Sequence, residues 1–248
     1  MTLPNFGATG KIVVVTGASK GLGRAMALGF AEAGADVVVA SRKLAACEIV
    51  ADEVRALGRS ALPVRCHVGD WDDCGALIDA TVAEYGRIDV FVNNAGIAPV
   101  PPSLRDVTPE LFDKTIAVNL RGPLRLTALA AEHMTAGGAI INISSKASLH
   151  PLPFTVVYAA AKAGLNALTK AAAAEYGPRG IRVNAIVCGT FHTDSFDHGT
   201  PTEMQEQIAA NVSLRRIASA AEIVGAALFL ASEAASYLSG ELLVLDGG

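Results

Sequence analysis

Tyr158 and Lys162 stand four residues apart in the run Tyr158-Ala-Ala-Ala-Lys162. The alanines read as helix, and at this spacing both side chains share one helix face. A phenol beside a fixed ammonium is a candidate proton donor or acceptor. A tyrosine ordinarily titrates near ~10, and a nearby cation favours the phenolate and lowers that value. Alone, the pair reads equally as a packed ring and a solvated amine. Its meaning depends on its company.

That company starts upstream. Thr16-Gly17-Ala18-Ser19-Lys20-Gly21-Leu22-Gly23-Arg24 follows the apolar run Lys11–Thr16 and opens a helical pattern over 22–33. Gly17 permits a tight turn, and Gly21 and Gly23 permit close approach to a pyrophosphate. The helix start supplies N–H donors and partial positive charge. About 20 residues beyond such a turn, an NAD site usually carries a carboxylate. This chain has Ala40-Ser41-Arg42-Lys43 instead. Arg42 could grip a 2′-phosphate bidentately, with Lys20 as a second cation and Ser41 as a hydroxyl donor. Read as ligands rather than ordinary surface charges, they favour NADP(H) over NAD(H).

The elements that must position these groups alternate. Strand-length apolar runs fall at Lys11–Thr16, Asp36–Ala40, Leu62–His67, Asp89–Asn93, Ala139–Ile143, Arg182–Ile186 and Leu242–Leu245. Helical patterns fall at 22–33, 43–57, 72–85, 109–133, 156–177 and 220–231. Unbroken apolar strands suit burial on both faces, and the alternation predicts one α/β domain over 1–248, a doubly wound parallel sheet of about seven strands with helices on both faces. The polar stretch Thr193–Ser213 interrupts the pattern and is a candidate substrate lid.

Composition narrows the function. Hydrophobic residues make up 51%, enough for a large core. A net charge of −4, from 20 basic and 24 acidic residues, argues against nucleic-acid binding. No apolar run approaches the ~20 residues of a membrane span, and Met1–Gly10 has no secretory-signal pattern. Cys47, Cys66, Cys74 and Cys188 form no CxxC; they read as buried free thiols in a reducing cytoplasm rather than as disulfides or metal ligands.

With the turn at Thr16–Gly23, Asn93-Asn94-Ala95-Gly96, Asn119, Ser144-Ser145 and the Tyr158/Lys162 pair in this order, the chain resembles the short-chain dehydrogenase/reductase family. Arg182-Val-Asn184-Ala-Ile186 and Leu245-Asp246-Gly247-Gly248 extend the match over Lys11–Gly248. Its flavour is that of 3-oxoacyl-carrier-protein reductases and bacterial ketone reductases. The resemblance implies a Rossmann fold and hydride transfer between a nicotinamide cofactor and a ketone or secondary alcohol. Tyr158 is then the general acid/base, and Lys162 lowers its pKa and binds the nicotinamide ribose. Ser145, thirteen residues before Tyr158, holds the substrate oxygen, with Ser144 as the alternative. Asn119 helps hold a water that relays protons to Lys162. Cofactor contacts fall on Gly17, Ser19, Lys20, Gly21, Leu22, Gly23, Ser41, Arg42, His67, Val68, Asn93, Ala95, Gly96, Tyr158, Lys162, Gly189, Phe191 and Thr193. Family members usually form dimers of dimers, which points to a homotetramer; the small residues along Tyr158–Tyr176 permit close helix approach.

The chain departs from the family at three places. His67-Val68 stands where Asp-Val is common, so His67 would offer a ring nitrogen as acceptor to the adenine amino group or miss it. Cys188 stands where proline is common and reads as a small buried residue. The Tyr158–Lys162 run is richer in alanine than usual. Ile97–Ser103, Lys146–Phe154, Phe191–His192 and Thr193–Ser213 are expected to ring the substrate. Val100, Leu152, Phe154 and Phe196 would form an apolar wall there, and Lys146, His150 and His192 either a polar grip or a solvated rim. Two other classes use the same scaffold. A silent dinucleotide sensor would dispense with Tyr158 or Lys162, and a lyase or epimerase would use Tyr158 without net redox change.

Overall fold

Val13, Val14 and Val15 show how the sheet is built. In the computed structural model, which describes residues 6–135 and 137–248, strand β1 (Ile12–Thr16) is wholly enclosed. Val13 and Val15 enter one core with Met26, Phe30 and Val50, while Val14 enters the opposite core with Leu77, Phe91 and Leu126. That alternation is the period of a strand covered on both faces. Burying each such side chain stabilises the fold by ~1.5–3 kcal/mol.

The chain runs on through α1 (Gly21–Glu32), β2 (Asp36–Ser41), α2 (Leu44–Ala56), β3 (Ala61–Arg65), α3 (Trp71–Tyr85), β4 (Val90–Asn93), α4 (Pro109–Ile116), α5 (Gly122–Glu132) and β5 (Ala139–Ser145). Then come α6 (Val156–Tyr176), β6 (Arg182–Cys188), β7 (Phe191–His192), α7 (Asp194–Gly199), α8 (Thr202–Ala210), β8 (Ala218–Ser219), α9 (Ile223–Ala231) and β9 (Leu242–Leu245). Seven strands form a parallel sheet in the order β3-β2-β1-β4-β5-β6-β9, and β7 pairs with β8 beside it. Helices α1, α2 and α9 cover one face; α3, α5 and α6 cover the other. All seven expected strands are present, in a single domain. The winding reverses between β1 and β4, so their carboxyl ends part and open a crevice.

Two boundaries differ from expectation in ways that matter. The periodicity over 109–133 predicts one helix, but Ala117–Arg121 widens into a π-turn between α4 and α5. Pro123 explains the break: it has no N–H to donate, and its ring crowds the carbonyl four residues back. Strand β5 also runs past Ile143, pairing Ser144 with Val187 and Ser145 with Cys188. The four cysteines are free and buried. Among the described residues no helix is long and apolar enough to cross a membrane, and no cluster of His, Cys, Asp or Glu is arranged to hold a metal. Residues 1–5 lie outside the described residues.

Candidate active site

A cavity of about 1060 Å³ follows the carboxyl ends of the strands. Every residue expected from the sequence to serve catalysis or the dinucleotide lines it, except Asn93 and Asn119.

The glycine turn forms one end. Gly17 adopts φ +65°, which side-chain-bearing residues rarely adopt. A Cβ at Gly23 would run into the Gly17 carbonyl oxygen. Helix α1 begins directly behind with no side-chain cap, leaving its first N–H groups as donors. Such a cradle fits a pyrophosphate. Asn94 braces it: its Nδ2 donates to the carbonyls of Thr16 at 2.7 Å and Gly17 at 3.3 Å. The Thr16 hydroxyl returns the tie, accepting from the N–H groups of Asn94 and Ala95 and donating to the Val92 carbonyl. Next to the turn, the Ser19 and Ser41 hydroxyls lie 3.0 Å apart. Arg42 is exposed on the cavity wall with no acidic partner among the described residues.

One expectation needs correction, and two further residues have partners that the sequence does not show. Asn93 does not line the cavity. Its amide is buried beneath the sheet, where Nδ2 donates to Thr127 at 3.1 Å and Asn142 at 2.9 Å while Oδ1 has no partner among the described residues. His67 lines the cavity, but not as an acceptor. Its Nδ1 already accepts from the Gly69 N–H at 3.1 Å, so in the neutral ring the proton sits on Nε2 and the remaining nitrogen is a donor. Asn119 is fully buried on the π-turn, donating to the carbonyls of Ile97 and Thr115 and accepting from the Ile97 N–H. Its amide thereby holds the Ile97 segment in place.

The other end gathers the chemistry. Tyr158 and Lys162 project from α6 against β5. Lys162 is 4% exposed; its ammonium donates to the Ile143 carbonyl at 2.7 Å and lies 5.8 Å from the centre of the Tyr158 ring. Burial draws Lys162 down to about 8. Burial pushes the Tyr158 phenol above its ordinary value, while the facing Ser145 hydroxyl pulls it the other way. Burial is the largest influence on the phenol, and the nearby ammonium is turned toward the Ile143 carbonyl. The phenol then holds its proton at neutral pH, as a proton donor must.

The two serines separate cleanly. Ser145 faces Tyr158, and its Oγ accepts from the Ala147 N–H at 3.2 Å. Ser144 is buried and its Oγ donates to Asn166 at 2.6 Å. Cys188, paired with Ser145 across the sheet, is pushed up to about 12 by burial, so it is a neutral thiol on the wall.

Ile97, Val100, Phe191 and Phe196 line the remaining space. Leu152, Phe154, Lys146, His150 and His192 do not. Lys146 pairs with Asp246 at 2.6 Å and His192 with Asp197 at 2.8 Å. Sequence reasoning missed Leu111, Lys114, Thr115 and Val118, which line the cavity from α4 and the π-turn. Their spacing of three, one and three residues marks one helix face and was the available signal.

Comparison with known proteins finds relatives over nearly the whole chain. A family model described as enoyl-(acyl carrier protein) reductase matches residues 17–248. The L-rhamnose 1-dehydrogenase (NAD(P)(+)) of Azotobacter vinelandii is 38% identical over 246 residues, covering 96% of each chain. A short-chain dehydrogenase from Burkholderia cenocepacia, solved with NADP, superposes with TM-score 0.91 at 31% identity, over 97% of this chain and 98% of the other. A 7α-hydroxysteroid dehydrogenase solved with NADH and 7-oxo glycochenodeoxycholic acid superposes with TM-score 0.95 at 34% identity, over 98% and 96%.

Proposed function

The chain belongs to the short-chain dehydrogenase/reductase family, and from that premise we propose that it is an NADP(H)-dependent carbonyl reductase acting on ketones, or on secondary alcohols in reverse. The observation that carries this reading is one cavity with a pyrophosphate cradle at one end and Ser145, Tyr158 and Lys162 at the other. The dinucleotide, when bound, supplies the hydride. Tyr158 donates its proton to the substrate oxygen as negative charge develops there, and Ser145 donates a hydrogen bond to the same atom. Lys162 meets the nicotinamide ribose and keeps the phenol's surroundings cationic. Asn119 acts through the Ile97 wall.

NADP(H) is favoured by this chain's own residues, since one solved neighbour holds NADP and another NADH. Arg42, Lys20 and Ser41 supply cation and hydroxyl where an NAD site needs a carboxylate. The apolar substrate end suits a ketone on an uncharged skeleton, including a 3-oxoacyl group. Residues 193–213, folded as α7 and α8, act as its lid. The exposed alanines 160, 163, 167, 171 and 174 form a small-residue stripe on the outer face of α6 that suits a homotetramer. Four free buried thiols suit a reducing cytoplasm.

The test is a panel of ethyl acetoacetate, cyclohexanone, 2-octanone and the matching alcohols, followed by cofactor absorbance with NAD(H) and NADP(H). Ketone-dependent NADPH oxidation faster than NADH oxidation is expected. Absence of turnover with every pairing counts against the reductase reading. Sedimentation showing only a 25 kDa species would refute the tetramer.

A further inference from the structure

Asn166 continues a series along α6. Tyr158, Lys162 and Asn166 recur every four residues, so all three meet the end of β5. Tyr158 faces the Ser145 hydroxyl, and Lys162 donates to the Ile143 carbonyl. Asn166 grips the chain on both sides of Ser145. Its Oδ1 accepts from the Ser144 hydroxyl at 2.6 Å, and its Nδ2 donates to the Ser148 hydroxyl at 2.8 Å. The Ser148 hydroxyl in turn donates to the carbonyl of Ser145 itself at 2.6 Å.

The directions of these bonds matter. Because Asn166 donates into the Ser148 oxygen, the Ser148 proton is aimed at the Ser145 carbonyl. That bond closes the turn over 146–148, and the turn carries the Ala147 N–H that donates to Ser145 Oγ at 3.2 Å. A serine oxygen that already accepts is set to use its own proton as a donor into the cavity. Asn166 is 7% exposed and Ser144 2%, so water competes little for this network. Asparagine presents an acceptor and a donor on one short side chain, which the two serines require in opposite senses.

We propose that Asn166 is a positioning residue that orients Ser145 as a hydrogen-bond donor through Ser144 and Ser148. This rests on the reading of Ser145 as the group that holds the substrate oxygen. It assigns a function to a side chain that touches neither cofactor nor substrate.

The experiment is a set of cycles. Asn166→Ala and Ser148→Ala are each measured alone and combined with Ser145→Ala, using NADPH and whichever of the three panel ketones is reduced fastest. Each single variant should lower kcat by ~10-fold, the scale of a small misplacement of a reacting group. NADPH affinity, read by fluorescence titration without ketone, should stay within ~2-fold in every variant, and neither change should cost more than ~2-fold once Ser145 is alanine. Losses that multiply with that of Ser145→Ala would overturn the proposal, as would single variants with unchanged kcat. Unchanged turnover in Ser145→Ala would overturn it by a separate route, through the reading of Ser145 itself. Should Asn166→Ala fail to fold, Ser148→Ala, at a half-buried position, carries the same test.

Discussion

The two ends of the cavity are built on different principles. The dinucleotide end consists of strand ends and a glycine turn, cross-braced by Asn94 and the Thr16 hydroxyl. At the other end α7 lines the cavity, and α8, which follows it, buries no residue at all. Met204 on α8 is 51% exposed. Cross-bracing therefore holds the dinucleotide cradle rigidly, while little burial ties α8 to the fold. A loosely tied segment opens at low cost and tolerates sequence change, which suits a lid on a general scaffold.

The largest effect is expected where the two ends meet over the reacting atoms. Tyr158→Phe keeps the ring and removes the proton, so kcat should fall ~10³-fold while NADPH affinity holds, as measured by steady-state rates beside fluorescence titration. A comparable loss of affinity would mean that Tyr158 is structural. Arg42→Asp comes next. Losing a charge-assisted grip and adding repulsion should weaken NADPH binding by ~10- to 100-fold, with NADH changed by less than ~3-fold. Equal effects on the two cofactors would remove the 2′-phosphate assignment.

Lys162 gives a prediction about stability. Its folded value of about 8 lies below its ordinary 10.5. Between those pH values the unfolded chain holds a proton that the folded chain lacks. Stability therefore rises with pH across that window, and the full cost of burying the charge is present below pH 8. Lys162→Met should remove this slope and stabilise the protein at pH 7 by ~1–3 kcal/mol while lowering activity. Urea unfolding at pH 7 and pH 10 for both proteins reads it, and identical slopes would contradict it. The smallest effect belongs to the loose end. Phe196→Ala should raise KM for 2-octanone ~3- to 10-fold with little change for cyclohexanone, as expected for losing one apolar contact.

Much of this was legible in the residues themselves. The seven strands are apolar runs of the right length; spacing picks out the Tyr158 and Lys162 pair, and the family resemblance adds Ser145 to it. What was not legible depends on partners distant in the chain or on backbone groups. The donor state of His67 is set by the Gly69 N–H. Lys146 is claimed by Asp246, near the other end of the chain. Asn93 and Asn94 are adjacent and chemically identical, yet one sits beneath the sheet and the other braces the glycine turn. The spacing of Tyr158 and Lys162 is visible, but the burial that shifts both their pKa values is a property of the packed core.

The central claim is that a hydride passes between cofactor and carbonyl in this cavity. NADPH deuterated at both C4 hydrogens of the nicotinamide, turned over with the fastest ketone of the panel, tests it by mass spectrometry of the product. One deuterium on the carbinol carbon per cofactor oxidised is the predicted result. An unlabelled product, or substrate conversion without oxidation of the cofactor, would contradict it.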